Sequence, residues 1–220
     1  MQTIDLVRVA VALVAGYLLG GIPFGIIVPR LIGGPDPRTI GSGRTGGANV
    51  SRAVGFRWAA VSGLLDVAKA AVAVLIVIAI GGDQVAQVAA ALAAVVGHSR
   101  SPFIGFHGGR GVAPATGGAL IIAPLILAVI FPIFVIVIAV TRIASLGSLA
   151  ATLIGGVAMV IWTVVAPLPP IYFVYGVGVP GLIWLFHVDN IQRLLSGQER
   201  RVGRSDKPGP TAGQAADGSH

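Results

Sequence analysis

The chain has 220 residues, 55% hydrophobic and only 10% charged, and is too apolar to present the wet surface of a soluble domain. It has no cysteine, which excludes disulfides, thiolate nucleophiles and cysteine metal sites. With 15 Lys and Arg against 8 Asp and Glu, its formal charge of +7 points to an anionic partner, membrane lipid or phosphate rather than nucleic acid.

A helix needs about 20 mostly apolar residues to cross a bilayer. In chain order the candidate segments are 9–28, 58–80, the short alanine-rich 84–96, the short 112–123 interrupted by Pro114, 125–140, 146–166 and 171–186. The first lacks the cleavage site and polar continuation of a signal peptide, so it reads as a retained span. The expected fold is therefore all-α and polytopic, with about seven transmembrane helices, or five if the two short segments are re-entrant. Arg30, Arg38, Arg44, Arg52 and Arg57 fall in the first loop, Arg100 and Arg110 in the third, and Arg142 in the fifth. Arg193, Arg200, Arg201, Arg204 and Lys207 follow the last segment, while the second, fourth and sixth loops carry no basic residue. The positive-inside rule then places the odd loops and the C-terminus in the cytoplasm and the N-terminus outside. Residues 1–198 form one transmembrane domain, and the polar composition of 199–220 predicts a cytoplasmic tail unable to order itself. The outer loops, 81–83 and 167–170, are too short for a binding module, which leaves the cytoplasmic face for chemistry.

That face carries three polar constellations. The first loop reads Gly41-Ser42-Gly43-Arg44-Thr45-Gly46-Gly47-Ala48-Asn49, followed by Arg52. Its glycines let backbone N–H groups converge, and its hydroxyls and guanidiniums add donors, a set suited to phosphate. The alternative is an interfacial loop whose arginines meet anionic lipid. The third loop contains His98 and then His107-Gly108-Gly109-Arg110-Gly111, feeding directly into a helix; it lacks the spacing and Lys-Ser/Thr ending of a nucleotide-binding P-loop. At the end of the last segment His187, Asn190 and Arg193 recur every three residues and share a helical face. Within the second segment Asp66 and Lys69 stand three apart, either as a relay of the kind a transporter uses or as a mutually neutralised brace between helices. No Ser-His-Asp order, HExxH or paired carboxylate emerges, so hydrolase and metalloenzyme readings fall away.

Taken together these stretches resemble the bacterial acyl-phosphate-dependent glycerol-3-phosphate acyltransferases, the PlsY family. Gly21-Ile22-Pro23-Phe24-Gly25 is similar to that family's opening Gly-Ser-Ile-Pro-Phe-Gly. Gly41 through Arg52 is similar to its first motif, Gly-Ser-Gly-Asn-x-Gly-Ala-Thr-Asn with an arginine three residues later. Leu64 to Lys69 resembles Leu-Asp-x-x-Lys, Gly97 to Ala113 resembles the second motif, and Ser145 to Ser148 and His187 to Glu199 resemble the remaining signatures. The resemblance implies attack of the 1-hydroxyl of sn-glycerol 3-phosphate on a fatty acyl phosphate, giving lysophosphatidic acid and phosphate at the cytoplasmic face of the bacterial inner membrane. It implies no cofactor and no metal, and membrane lipid as the surrounding partner. It also implies roles: Ser42, Arg52, His187 and Asn190 as catalytic; Gly41, Gly43, Asn49, Gly108, Gly109, Arg110 and Gly111 as phosphate-binding; Asp66, Lys69, His98 and Glu199 as structural supports. His187 orients or deprotonates the attacking hydroxyl, unless a substrate phosphate takes that proton. Three positions depart from the pattern: Arg44 replaces Asn, Ala48 replaces Thr and Arg110 replaces Lys. They keep open a paralogue acting on another polyol phosphate, and Asp66 with Lys69 keeps open a small lipid or anion transporter.

Overall fold

The structure, a computed structural model, describes residues 5–202. Their regular structure is all helical, with α1 (Leu6–Gly21), α2 (Phe24–Leu31), α3 (Gly47–Val54), α4 (Phe56–Ala79), α5 (Gln84–Ser99), α6 (Val112–Ile122), α7 (Pro124–Thr141), α8 (Ala144–Val165), α9 (Ile171–Phe186) and α10 (Val188–Leu195), besides two single 3-10 turns. Every predicted apolar segment is present as helix. Four stretches are long and apolar enough to cross a membrane, Leu6–Leu31, Phe56–Ala79, Pro124–Thr141 and Ala144–Val165, and α9 joins them if it is counted together with α10, which turns away from it by 66°.

The first span is broken at Ile22 and Pro23, because proline brings no N–H to a helix and disfavours helical geometry in the residue before it. The break takes the Ile22 carbonyl out of the helical ladder, and it accepts from the Phe24 N–H at 3.1 Å and from Lys69 of α4 at 2.7 Å. Helix α5 is shorter than a span because it is not a lipid-facing helix. It packs against α1, α4, α6 and α9, and its alanines let neighbours approach. Gly16 and Gly20 of α1 lie directly on the backbone of Ala90 and Ala94, so any side chain at either glycine would collide with α5. Helix α7 is the opposite case. Ile126 is its one buried residue, and Phe131, Ile136 and Val140 are at least 60% exposed, as a wall facing hydrocarbon requires.

One end of the bundle gathers the first loop, the α5–α6 loop, the α7–α8 turn and α10. Arg8 of α1 lies at the other end, donating to the Gly81 carbonyl between α4 and α5 at 2.8 Å. The expectation that the chain loses order from Glu199 needs correction. The Glu199 side chain is only 7% exposed, Arg200 Nη2 donates to the Gly41 carbonyl at 3.2 Å, and the Val202 N–H donates to the Arg142 carbonyl at 2.7 Å. The remainder of the expected tail, 203–220, lies outside the described residues.

Candidate active site

A cavity of about 1020 Å³ starts at that end and runs between the helices. Its deep part is apolar, walled by Ile126, Ile130 and Phe134 of α7, Gly155, Gly156 and Met159 of α8, and Gly176 and Val179 of α9. Leu64 of α4 and Phe131 of α7 line it while remaining 69% and 67% exposed, so it opens sideways between those helices. Its polar end is lined by Ser42, Arg44, Arg52, Arg110, His187, Asn190, Arg193 and Arg200.

The first loop owes its shape to Asn49. That side chain is buried, its Nδ2 donates to the carbonyls of Pro37 (2.6 Å), Ile40 (3.0 Å) and Arg44 (2.8 Å), and its Oδ1 accepts from the Ser42 N–H at 3.2 Å. Asn49 thus organises the loop rather than presenting its amide to phosphate, which corrects its expected role. Gly41 and Gly43 take positive φ angles of 53° and 66°, the left-handed turns that carry the chain around Asn49. The Gly43 N–H is used within that turn, donating to the Ile40 carbonyl at 3.0 Å. Ser42 faces the cavity, and Arg52 stands beside it on α3 with Nη1 3.4 Å from the Ala48 carbonyl.

The second constellation is corrected in a similar way. The N–H groups of Gly108 and Gly109 do not face a ligand: they donate to the carbonyls of Ser99 (3.2 Å) and His98 (3.1 Å), tying the loop to the end of α5. These glycines are needed because His98 packs against them so closely that a β-carbon would overlap its backbone or ring. Gly111, at φ 84°, caps α6 and leaves that helix's first N–H groups at the cavity. Arg110 lies across the gap to α10. Its Nη1 donates to the Phe186 carbonyl at 2.6 Å and to Asp189 Oδ1 at 2.8 Å, and its Nη2 donates to Asp189 Oδ2 at 2.7 Å. This fork holds the Asp189 carboxyl well below the usual carboxylate range.

His187 sits one residue past the end of α9 and is 2% exposed. Its Nδ1 donates to the Ile183 carbonyl at 2.7 Å, which leaves Nε2 as the nitrogen with a lone pair. Burial pushes its pKa down to about 4, so the ring is neutral at physiological pH. Asn190, one turn along α10, is fixed by Nδ2 donating to Glu199 Oε1 at 2.6 Å, and its buried Oδ1 has no hydrogen-bond partner among the described residues. Glu199 also accepts from Ser145 Oγ at 3.0 Å and from Arg193 Nε at 2.8 Å. It thus links α8 to α10.

Asp66, Lys69 and His98 form a buried group. Lys69 Nζ lies 2.6 Å from Asp66 Oδ1, 3.1 Å from His98 Nδ1 and 2.7 Å from the Ile22 carbonyl. These contacts tie α4 to α5 and to the break between α1 and α2, the geometry of a brace between helices. Asp189 was not read from the sequence, because a lone acid beside His187 carries no periodic signal. Arg44, counted there among the first loop's phosphate donors, lines the cavity.

Residues 10–197 match the family model for glycerol-3-phosphate acyltransferase. The chain belongs to this family. Among its relatives, the glycerol-3-phosphate acyltransferase of Synechococcus sp. (strain JA-3-3Ab) is 43% identical over 193 residues, covering 88% of this chain and 93% of that one. The protein of the same description from Anaeromyxobacter sp. (strain K) is 39% identical over 200 residues, covering 88% and 96%. The fold is also that of a family member seen in crystals, the integral membrane glycerol 3-phosphate acyltransferase PlsY. Its glycerol 3-phosphate form superposes with a TM-score of 0.79 at 32% identity, covering 89% of this chain and 96% of that one. Its lysophosphatidic acid form gives 0.77 at 31% identity, covering 88% and 94%.

Proposed function

We propose that this protein is a glycerol-3-phosphate acyltransferase that takes its acyl group from acyl phosphate, at the cytoplasmic face of a bacterial inner membrane. The observation that carries the reading is the two-character cavity: a cationic end reached from water, continuous with an apolar channel open to lipid. Five arginines line the polar end, against the carboxylates of Asp189 and Glu199 beside them, so the mouth has an excess of positive charge. That balance suits two phosphate-bearing substrates, one of them carrying a long chain. The volume lies at the upper end of the roughly 300–1,000 Å³ of small-ligand sites, as a ligand with a long chain requires.

In this reading the donor lies with its chain in the channel and its phosphate against Ser42 and Arg52. The acceptor's 1-hydroxyl donates to His187 Nε2, and Asn190 Oδ1 accepts from the neighbouring 2-hydroxyl. The 1-hydroxyl oxygen forms the new bond to the acyl carbon, the bond from that carbon to the phosphate oxygen breaks, and the phosphate departs. A neutral histidine with a pKa of about 4 is a weak base. A phosphate, with a second pKa near about 6, is the better acceptor for the hydroxyl proton, so His187 orients the hydroxyl and the leaving phosphate takes the proton. Acyl phosphate is already activated, and placement with charge stabilisation is enough for transfer without a covalent enzyme intermediate. The side assignment rests on the arginine-rich loops at the site end.

The test is to give purified protein acyl phosphate and glycerol 3-phosphate, with acyl-CoA as the control donor. Lysophosphatidic acid is expected from the first donor alone. Its absence, with liposomes instead accumulating a phosphorylated solute, would overturn the reading in favour of transport.

A further inference from the structure

Arg44 is a cation without a counterpart. It projects from the first loop into the polar end of the cavity and is partly buried there. Among the described residues its guanidinium makes no hydrogen bond and no ion pair; the interactions at this residue are those of its backbone, N–H to Ser42 Oγ and carbonyl to Asn49. Burial and the charges of Arg110, Arg100 and Arg193 all act against its charged form, and Asp189 alone among its principal neighbours favours it. A fork-shaped donor placed among like charges and partly out of water is unfavourable unless an anion completes it.

The neighbouring cation is less available. Arg110 already uses three N–H interactions on Asp189 and the Phe186 carbonyl, so it cannot embrace a phosphate with both arms unless Asp189 is displaced. Arg44 faces the same space from the opposite loop with its whole fork unused. The substrate that enters wholly from water has its phosphate at the end of the molecule away from the reacting hydroxyl. That phosphate is therefore the one Arg44 and Arg110 face across the mouth, apart from Ser42 and Arg52, against which the donor's phosphate rests.

We infer that Arg44 is a specificity-determining ligand for the phosphate of the acceptor, gripping it opposite Arg110 and selecting phosphorylated over neutral polyols. This rests on the acyltransferase reading above. The shared chemistry of the two substrates is the phosphate group, so the experiment must separate them. In Arg44→Asn, the KM for glycerol 3-phosphate should rise about tenfold or more, the worth of one charge-assisted pair. The KM for acyl phosphate should stay within about twofold and kcat within about threefold. Arg44→Lys should recover part of the loss, since charge returns without the fork. Calorimetric binding of glycerol 3-phosphate to the protein without donor should weaken by the same factor in Arg44→Asn, a readout independent of turnover. Unchanged acceptor affinity, or a rise confined to the acyl phosphate KM, overturns the inference. If the wild-type protein forms no lysophosphatidic acid, the acyltransferase reading fails, and the calorimetric comparison still decides whether Arg44 binds the phosphate.

Discussion

Glu199→Ala removes in one step the acceptor for Ser145 Oγ, Asn190 Nδ2 and Arg193 Nε. The carboxylate is buried, and breaking a buried ion pair by deleting one partner costs about 3–5 kcal/mol. Part of the loss is recovered as water reaches Ser145 and Asn190 from the cavity mouth, so about 4 kcal/mol is a fair expectation. At about 2–4 °C per kcal/mol for a chain of this size, the melting temperature should fall by roughly 8–16 °C. The same change frees Asn190 to turn its Oδ1 away from the hydroxyl it is proposed to hold. Measured well below the melting point and at saturating substrate, kcat should fall more than tenfold, about 1.4 kcal/mol of transition-state stabilisation. Glu199→Gln separates the two effects. Its carbonyl oxygen can still accept from Asn190 and Ser145, so much of kcat should return, while an amide facing Arg193 leaves the protein less stable than wild type. Thermal unfolding in detergent by intrinsic fluorescence and single-substrate saturation kinetics supply both readouts. An alanine variant that melts within about 2 °C of wild type with unchanged kcat would refute the idea that this carboxylate organises the site.

Arg52→Ala should abolish turnover while leaving the melting temperature nearly unchanged, because the residue lies at the cavity mouth on a short surface helix; retained turnover would remove it from the site. Lys69→Met should destabilise by about 3–5 kcal/mol, and pairing it with Asp66→Leu should recover a large share, seen as a non-additive double-mutant cycle; additive losses would contradict the brace. His187 titrates near 4 in the folded protein against 6.5 for the free side chain, so the unfolded chain binds the extra proton first. Stability should therefore fall as pH drops from about 6.5 to 4, by up to about 3 kcal/mol, and His187→Gln should flatten that slope. A slope unchanged by the substitution would place its origin elsewhere. Gly20→Leu should prevent α1 from seating on Ala94, and expression as folded protein should collapse; normal yield and melting would show that this contact is not needed.

The helices were legible because hydropathy over a long window is a strong signal, and even 84–96 and 112–123, weak by that measure, proved to be α5 and α6. Their weakness has a physical cause. Helices wrapped by other helices need small residues more than greasy ones. The motif residues were legible as a group, and the cavity brings Ser42, Arg52, Arg110, His187 and Asn190 together. Individual roles were not, because a glycine or an asparagine in a loop reads the same whether it faces a ligand or its own chain. Asn49, Gly108 and Gly109 face their own chain. Arg110's partnership with Asp189 spans 79 positions, a separation no local pattern reports.

The side opening between Leu64 and Phe131 gives the cavity two exits into two different solvents. For the proposed reaction, inorganic phosphate would leave into water and a single-chain lipid into the bilayer without crossing an aqueous phase. Once separated, the products rarely meet again in the same pocket, and reversal would require extracting a lipid and a free ion together from opposite phases. Partition between the two exits thus adds a directionality that does not depend on any residue in the catalytic cluster, and that detergent solution, where both products share one compartment, would remove.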